Sequence, residues 1–497
     1  MITLESKADP DEKCLTNLVS ALSVYLQELE PSFFTFENKC LRGAFERYIY
    51  FDVMAGRRQS LYSLMNLTKA WRDTVQDIAL IETYDYFWSQ QQKRSVLQKC
   101  RAPMLSWGRF AKSMYQSLAH PLFYRRRKTT DISASNPHGF FVTYPRFISF
   151  FRPITDVLKE SRSRVCYFSE SPHALLGHTQ NQQSIAWLKN QIWTLRKPSF
   201  LPITNLLLPD YLRICSFYFQ IYEALKHYKP QTLIFAEGTS HYDELASQAA
   251  KALGIKTVRI QSGRAGILHS GYRDMSFDVM LCWSEDFVQR YRAVSPEATY
   301  KVVGSPLIDE FVKLKQKNTD EQKCVLIITQ PVSKHLTTSD YLQLISVAKK
   351  LLDNCEHAEI VVRRHPADKH NGFLILAEQY VGRISLMEEP KHSLADAFSH
   401  SICALGFFST ALSEAAACDV IPVILQTRES QSVYPFPEKH NAAILTKNAD
   451  EAVGCLNHIV TQPEDFVATR QSMRAFSIRF FGPSDGNSLL RIMSELQ

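Results

Sequence analysis

Two arginines, a histidine and a proline at positions 363–366 follow a Val-rich stretch that is typical of a buried strand. Pro366 ends the strand and fixes the turn, so His365 is expected to project from a strand end, where its ring can donate to a phosphate oxygen. Arg364 or Arg363 would add a charge-assisted hydrogen bond to the same anion. The alternative is a histidine that caps its loop and contacts only backbone. The strand-end position favours the ligand-binding role.

The segment 406–415 passes from an apolar strand into small hydroxyl residues that open a helix. Helix N-termini offer free N–H groups and a positive partial charge, which suit a phosphate. Ser409 and Thr410 add hydroxyl donors, and Glu414, about one turn further on, can accept from ribose hydroxyls. An ordinary N-cap followed by a glutamate that the helix dipole favours is the alternative.

Residues 329–331, Thr-Gln-Pro, follow the first strand of the C-terminal half. This is the position of the opening phosphate loop in a Rossmann unit. The Gly-x-Gly-x-x-Gly pattern is missing, which disfavours a dinucleotide cofactor. We expect Gln330 to contact a nucleotide, and a turn without ligand is an equally open interpretation.

An acidic residue stands in a comparable place in the N-terminal half, where a strand ends in Ala-Glu-Gly-Thr-Ser-His at 236–241. Glu237 is expected to project from the strand end, and a carboxylate there can remove a proton from a hydroxyl group. Glu237 is therefore the candidate catalytic base, with His241 as the second candidate. A glutamate that merely caps the following helix is the alternative.

Three further residues follow strands of the same half. Arg264 comes after the strand that ends in Gln-Ser-Gly, and its guanidinium suits a phosphate or an acidic sugar. Tyr144 and Arg146 follow the first strand. We expect all three to bind an acceptor substrate.

These residues are ordered by strands that alternate with helices in two successive series, a pattern that predicts parallel, doubly wound sheets. The predicted fold class is α/β, with two Rossmann-like domains facing a cleft and an N-terminal helical extension. The predicted domains are a helical accessory domain at 1–137, an acceptor domain at 138–318, and a donor domain at 319–497 whose last helix crosses back.

Composition narrows the function classes. The chain has 497 residues and a net charge of +7, which does not indicate a nucleic-acid partner. Its 11 cysteines are scattered without a C-x-x-C pair, so neither a disulfide framework nor a structural zinc site is expected. The N-terminus is acidic and polar, and no stretch has the apolar length of a membrane span. We therefore expect a cytoplasmic protein.

The region 107–128 carries aromatic residues followed by a basic cluster at 125–128. Such a segment can rest on an anionic membrane surface, which predicts peripheral contact with the inner face of the cell membrane. A solvated linker after a core helix is the alternative.

Taken in order, several short motifs of residues 140–497 resemble bacterial surface-polysaccharide glycosyltransferases of capsule and lipopolysaccharide synthesis. The motifs are Ile-Gln-Ser-Gly, Phe-Asp-Val-Met-Leu-Cys-Trp-Ser-Glu, Val-Val-Gly-Ser-Pro, Arg-x-His-Pro, Phe-Ser-Thr-Ala-x-x-Glu-Ala and the terminal Phe-Phe-Gly-Pro-Ser-Asp-Gly. These enzymes have the GT-B fold, which they share with UDP-GlcNAc 2-epimerases and with glycerophosphotransferases of teichoic acid synthesis.

The resemblance implies a nucleotide-sugar donor, CMP- or UDP-linked, and a glycan or glycolipid acceptor. Transferases for sialic acid and Kdo hold CMP with a His-Pro motif and a Ser/Thr motif, which His365-Pro366 and Ser409-Thr410 resemble. Their acidic motif has two carboxylates before a glycine, whereas Ala236 precedes Glu237-Gly238 here. Relatives often have histidine in place of Ser262 and asparagine in place of Ser305.

The function expected from these features is a metal-independent glycosyltransferase without a cofactor, because neither of the two predicted Rossmann-like domains (138–318 and 319–497) contains an Asp-x-Asp triplet. The transferred sugar would be Kdo or a sialic-acid-like sugar. A UDP-GlcNAc 2-epimerase-like enzyme and a polyol-phosphate transferase are alternatives within the same fold. A non-catalytic scaffold with that fold is a further alternative.

Overall fold

The computed structural model describes most of the two predicted α/β series and part of the N-terminal region. The residues that it describes are 12–29, 34–36, 39–54, 69–73, 75–92, 138–144, 146–169, 208–263, 270–317, 324–332, 336–356, 358–387, 392–427 and 436–496. Arg264 and the region 107–128, with the basic cluster, lie outside them.

The N-terminal region is helical, as its apolar spacing predicts, and it also contains a short hairpin that the sequence did not indicate. Its elements are α1 (Glu12–Leu29), β1 (Thr35–Phe36), β2 (Lys39–Cys40), α2 (Arg42–Tyr48), a π-helical turn (Ile49–Met54), α3 (Lys69–Arg72) and α4 (Ile78–Gln92). Leucines spaced along α1 are fully buried, among them Leu18 and Leu22. They share one apolar core with residues of the first sheet, including Phe141 and Leu233.

Six strands form the first sheet. They are β3 (His138–Val142), β4 (Val165–Ser169), β5 (Thr232–Ala236), β6 (Lys256–Ile260), β7 (Val279–Cys282) and β8 (Thr299–Val302), in the order β4-β3-β5-β6-β7-β8. The pairings from β4 to β7 are parallel. The helices between them are α5 (Arg146–Glu160), α6 (Leu208–Tyr228), α7 (His241–Ala252) and α8 (Glu285–Arg292). The strand order of this sheet reverses between β3 and β5, because the chain adds β4 on one side of β3 and the later strands on the other.

Six parallel strands also form the second sheet. They are β9 (Cys324–Ile328), β10 (Glu359–Arg363), β11 (Ile384–Met387), β12 (Ser401–Gly406), β13 (Ile421–Leu425) and β14 (Ile444–Thr446). The order β11-β10-β9-β12-β13-β14 is that of a dinucleotide-binding Rossmann sheet. The reversal point lies between β9 and β12, and ligands of such sheets bind beyond the carboxyl ends of the strands at that point.

The remaining α-helices are α9 (Pro306–Lys317), α10 (Thr338–Asn354), α11 (Gly372–Gln379), α12 (Leu394–Ser399), α13 (Thr410–Ala417), α14 (Ala449–Thr461), α15 (Val467–Phe481) and α16 (Ser488–Leu496). Short 3₁₀ helices lie at Ser270–Tyr272, Pro437–His440 and Pro463–Phe466. The predicted α/β class, with two Rossmann-like sheets and N-terminal helices, is confirmed. None of the helices that the structure describes combines the length and the apolar character that a membrane span requires.

By its contacts the chain divides into two compact units. The first holds the described residues up to Gly263, residues 270–281, and Arg290–Tyr300. The second holds Cys282–Gln289 and the described residues from Lys301 onward. The domain boundaries predicted at 137 and 318 stay predictions.

The C-terminal segment packs within the second unit. Gly482 has φ +77°, and its α-carbon lies against the backbone of Trp283, so a side chain there would collide with a carbonyl group. The buried carboxylate of Asp309 accepts from the Ser488 hydroxyl at 2.9 Å and from the Leu489 N–H at 3.0 Å. Asp309 therefore caps the N-terminus of α16, whose positive partial charge favours a carboxylate.

Candidate functional site

The His-Pro turn (residues 364–366) directly follows β10 and is held by hydrogen bonds from its own backbone. The N–H of His365 donates to Thr329 Oγ1 at 3.1 Å, and its carbonyl accepts from the Asp368 N–H at 2.8 Å. Its ring Nδ1 accepts from the Ala367 N–H at 3.0 Å. A neutral ring whose Nδ1 accepts carries its proton on Nε2. The exposed His365 ring therefore offers a donor.

The two arginines before this histidine have different environments. Arg363 is 6% exposed and donates from Nη1 to the His392 carbonyl at 2.8 Å, which ties the strand to the start of α12. Arg364 is partly exposed, and its Nη2 donates to the Asp368 carbonyl at 3.2 Å. Of the two, Arg364 is thus the residue whose side chain remains near the surface beside His365.

The N-terminus of α13 follows β12, as the hydroxyl residues predict. Ser409 is the N-cap, and its Oγ accepts from the Ala411 N–H at 3.2 Å. This is the ordinary capping arrangement, but the hydroxyl proton of Ser409 still can donate to a ligand. Thr410 is exposed at the first helical position, and Glu414 is partly exposed one turn further along.

Gln330 lies at the reversal point of the second sheet. It follows β9, whose neighbours in the sheet are β10 and β12. A Cβ on Gly406 would stand 3.4 Å from the Ile328 carbonyl oxygen, so the ends of β9 and β12 are in close contact. Gln330 Oε1 is buried and has no hydrogen-bond partner among the described residues. The loops that carry Gln330, the His-Pro turn and Ser409 therefore share one edge of one sheet.

The acidic turn (residues 237–240) follows β5 in the first sheet. Glu237 has φ +58° and Gly238 φ +73°, so two successive residues adopt the left-handed region. A glutamate is rarely found there, and such backbone strain is concentrated at functional sites. The Glu237 N–H donates to the Ile260 carbonyl at 2.9 Å. Its partly exposed carboxylate lies beside Gly263, where an added Cβ would be 2.5 Å from Oε1.

His241 occupies an environment that does not suit proton transfer to a substrate. It is 5% exposed, and its ring packs edge-on against Tyr48 of α2 at 5.5 Å and beside Tyr242 at 4.0 Å. Helix α2 therefore packs against this buried side chain. Of the two predicted bases, Glu237 is the one whose side chain reaches the surface.

A buried capping box fixes the start of α7 directly after the acidic turn. Asp243 Oδ2 accepts from the N–H and hydroxyl of Ser240, at 3.0 and 2.7 Å, and the Asp243 N–H donates to Ser240 Oγ at 3.2 Å. Asp243 Oδ1 accepts from the Thr143 hydroxyl at 2.6 Å. Burial raises the pKa of Asp243. The carboxyl group thus joins the ends of β3 and β5, the two strands at the reversal point.

The predicted acceptor residues are only partly described. Tyr144 follows β3, is 44% exposed and packs edge-on against Phe147 at 5.8 Å. Arg146 is the first residue of α5, and its side chain is not described. Arg264 lies outside the described residues. Tyr144 and Glu237 therefore follow neighbouring strands of one sheet, while the roles of all three acceptor residues stay predictions.

Sequence reasoning missed Tyr272 and the hydroxyl of Thr329. Burial, and next the charge of Glu237, raise the pKa of Tyr272. Tyr272 stands in a loop between two strands and carries no motif. Thr329 was visible as the first polar residue after β9, where strand-end polarity could have marked it as the partner of a neighbouring loop.

Within the described ranges, no three His, Cys, Asp or Glu side chains come together as a metal site would require. Metal independence of the reaction stays a prediction.

No protein-family model matches the sequence, and a search of curated proteins found no match. Solved structures with a similar fold include UDP-GlcNAc 2-epimerase from Methanocaldococcus jannaschii, at 14% identity and a TM-score of 0.46, covering 72% of this chain and 99% of that chain. The Neisseria meningitidis epimerase bound to UDP-GlcNAc is 15% identical, with a TM-score of 0.43 and coverage of 72% and 98%. Acinetobacter baumannii MurG is 13% identical, with a TM-score of 0.43 and coverage of 73% and 99%.

Proposed function

We propose that the protein is a glycosyltransferase that moves a sugar from a nucleotide-activated donor to a surface polysaccharide or glycolipid. The observation that carries the proposal is the His365 ring. Its Nδ1 is occupied by the Ala367 N–H, so Nε2 is the ring atom left to donate. That donor stands at the carboxyl edge of the second sheet, where phosphate-bearing ligands bind in Rossmann folds.

The second sheet is proposed to hold the donor nucleotide. His365 Nε2–H would donate to a phosphate oxygen of the leaving group, and Arg364 would add charge. The Ser409 and Thr410 hydroxyls, with the N-terminal dipole of α13, would bind the same phosphate. Gln330 would contact the nucleotide, and Glu414 the ribose hydroxyls. Negative charge develops on the leaving oxygen in the transition state. Hydrogen-bond donors that stabilise this charge lower the activation barrier of the transfer without a metal ion.

The first sheet is proposed to supply the base and to bind the acceptor. Glu237 would remove the proton of an acceptor hydroxyl while the hydroxyl oxygen attacks the anomeric carbon of the donor sugar. The bond between that carbon and the oxygen of the nucleotide phosphate breaks in the same step. The proton then resides on the Glu237 carboxyl group, and the nucleotide leaves with the bonding electron pair. Tyr144, Arg146 and Arg264 would contact the acceptor. Peripheral membrane contact through 107–128 would bring the enzyme to a lipid-linked acceptor.

Donor hydrolysis by the purified protein, with a panel of CMP-, UDP- and GDP-sugars, tests this proposal. We expect turnover of a CMP- or UDP-sugar, and Glu237→Gln should lower kcat by about 10²- to 10⁴-fold with the donor KM little changed. Glu160→Gln is the matched control, because Glu160 is an exposed glutamate of the same unit.

Three other results would contradict the proposal. Turnover of no donor, together with no binding, would exclude the donor assignment. Formation of a 2-epimer from UDP-GlcNAc without any acceptor would indicate the epimerase-like alternative. Equal activity of the Glu237→Gln and Glu160→Gln variants would exclude Glu237 as the base.

A further inference from the structure

Three charged side chains form a buried cluster beneath the acidic turn. Arg47, Glu244 and Arg259 are each 2% exposed or less at their side chains. Glu244 Oε2 lies 3.4 Å from Arg47 Nη2 and 3.6 Å from Arg259 Nη2. Burial by itself would raise the pKa of Glu244, but the charges of Arg47 and Arg259 outweigh it and hold that pKa below its usual value. The carboxylate is therefore charged and shared by two cations.

Arg47 connects this cluster to the N-terminal helices. It belongs to α2, and its Nη1 donates to the Gly43 carbonyl at 2.9 Å. Its Nη2 donates to the Arg273 carbonyl at 2.8 Å, which lies in the loop that contains Tyr272. One side chain of the N-terminal region thus contacts both α7 and the loop that contains Tyr272.

Arg259 connects the cluster to the acidic turn itself. A Cβ on Gly238 would stand 2.7 Å from Arg259 Nε and 2.9 Å from its Cζ, so the guanidinium lies directly against the glycine. On another side its Cζ lies 4.5 Å from the Phe277 ring centroid. Burial lowers the pKa of Arg259 to about 10, which leaves the group charged at neutral pH.

The buried guanidinium of Arg259 destabilises the fold more than a side chain that serves only packing would. None of the three guanidinium nitrogens of Arg259 has a hydrogen-bond partner among the described residues. Unsatisfied buried donors destabilise a fold, and a hydrophobic side chain at such a place is often as stable as a buried ion pair. A strained turn, in contrast, persists only where its surroundings leave it no alternative.

We propose that Arg259, which contacts Gly238, and Arg47, which reaches Arg259 through Glu244, are positioning residues that hold the acidic turn in its strained conformation. The N-terminal helical segment then belongs to the catalytic apparatus and is more than an accessory domain. This inference rests on the proposed function, in which Glu237 is the base. A misplacement of about 1 Å in such a group can lower a rate by about 100-fold.

Arg47→Met tests the inference, with Arg72→Met as the matched control. Arg72 lies in the same helical segment and donates to both carboxylate oxygens of Asp85 at 2.8 Å, so its loss also removes an arginine ion pair. We expect Arg47→Met to lower kcat by about 100-fold with the donor KM unchanged, and Arg72→Met to leave both unchanged. Arg47→Lys should have a kcat between those of Arg47→Met and the wild type, because lysine keeps the charge but not the guanidinium geometry.

Hydrogen exchange of the amides at 237, 238 and 243 provides a readout that needs no turnover. Arg47→Met should speed their exchange, whereas Arg72→Met should not. If the wild type turns over no donor, the proposed function fails while this measurement still decides the positioning role. Equal exchange or an equal kcat in the Arg47→Met and Arg72→Met proteins overturns the inference. Should Arg47→Met fail to fold, Arg47→Lys and Glu244→Gln serve in the same comparison.

Discussion

The acidic turn and the His-Pro turn each follow a parallel strand and carry a candidate functional side chain, but different forces hold them. At the His-Pro turn, the backbone of His365 is bonded to Thr329 and Asp368, and no residue of 364–366 has a positive φ. At the acidic turn, Glu237 and Gly238 both have a positive φ, and a buried guanidinium lies beneath them.

This difference indicates how each turn should respond to substitution. Hydrogen bonds are local and individually modest, so the loss of one should loosen the His-Pro turn without removing it. A strained conformation depends on all its neighbours at once, so one steric change should abolish it. The acidic turn should therefore show few, large mutational effects, and the His-Pro turn several smaller ones.

Gly238→Ala should have the largest effect. The new Cβ would need the left-handed region and would collide with Arg259, 2.7 Å away. We expect a loss of about 2–5 kcal/mol in the free energy of unfolding and a fall in kcat of about 100-fold. Chemical denaturation and donor turnover measure the two effects.

Gly254→Ala is the control for this prediction. Gly254 also has a positive φ, +69°, but among the described residues no atom beyond its own neighbours lies within 4 Å of the added Cβ. It should cost only about 1–2 kcal/mol and leave kcat unchanged. Similar losses in both variants would show that backbone strain, and not Arg259, sets the cost.

His365→Ala should have the next largest effect. Removal of the Nε2–H donor takes one charge-assisted hydrogen bond from the leaving group, about 1.5–3 kcal/mol, which corresponds to about 10- to 100-fold in kcat/KM. His370→Ala is the control, because His370 Nδ1 also accepts a backbone N–H, from Gly372 at 3.1 Å. Steady-state kinetics with the preferred donor distinguish the two, and equal effects would remove His365 from the donor site.

Much of this comparison could be predicted from the sequence. Apolar runs that end in polar residues and alternate with helical spacing predicted β5, β9, β10 and β12, and parallel strands bring their carboxyl ends to one edge. The positions of Glu237, His365 and Ser409 at strand ends followed directly. The strand β14 and the helix α14 were not predicted, and β14 has only three residues, Ile-Leu-Thr, which are too few for a periodicity to show.

What holds the acidic turn could not be predicted in this way. Arg47 and Glu244 each look like solvated helix positions, and they are 197 residues apart. The left-handed conformation of Glu237 contradicts the preference of its residue type, so local rules point away from it. One signal was available for Arg259, a lone arginine inside the apolar strand Thr-Val-Arg-Ile, whose burial requires a partner.

Thr329→Val should have a smaller effect, confined to the His-Pro turn. The substitution keeps the shape of a side chain that is 1% exposed but leaves the His365 N–H without its acceptor. We expect a rise in donor KM of about fivefold, the equivalent of about 1 kcal/mol, and recovery in Thr329→Ser. Thr446→Val, which removes a buried hydroxyl bonded to the Ile424 carbonyl at 3.2 Å, should leave the KM unchanged. A KM that rises equally in both variants would mean that general loosening, and not the position of His365, is responsible.

His138→Gln should have the smallest effect, visible only in acid. His138 lies in β3, beside the strand that leads to the acidic turn, and burial, followed by the charge of Lys256, lowers its pKa. The unfolded chain, with a pKa of about 6.5, then binds more protons than the folded chain, so stability falls as the pH drops below that value towards the folded pKa. Denaturation at pH 7.5, 6.5 and 5.5 should show that the free energy of unfolding falls more steeply with acid for the wild type than for His138→Gln.

His440→Gln is the control. Burial and the charge of Arg479 also lower the pKa of His440, but this side chain is partly exposed. His440→Gln should therefore change the slope less, and a reversed ranking would place the acid sensitivity in the second unit, away from the acidic turn.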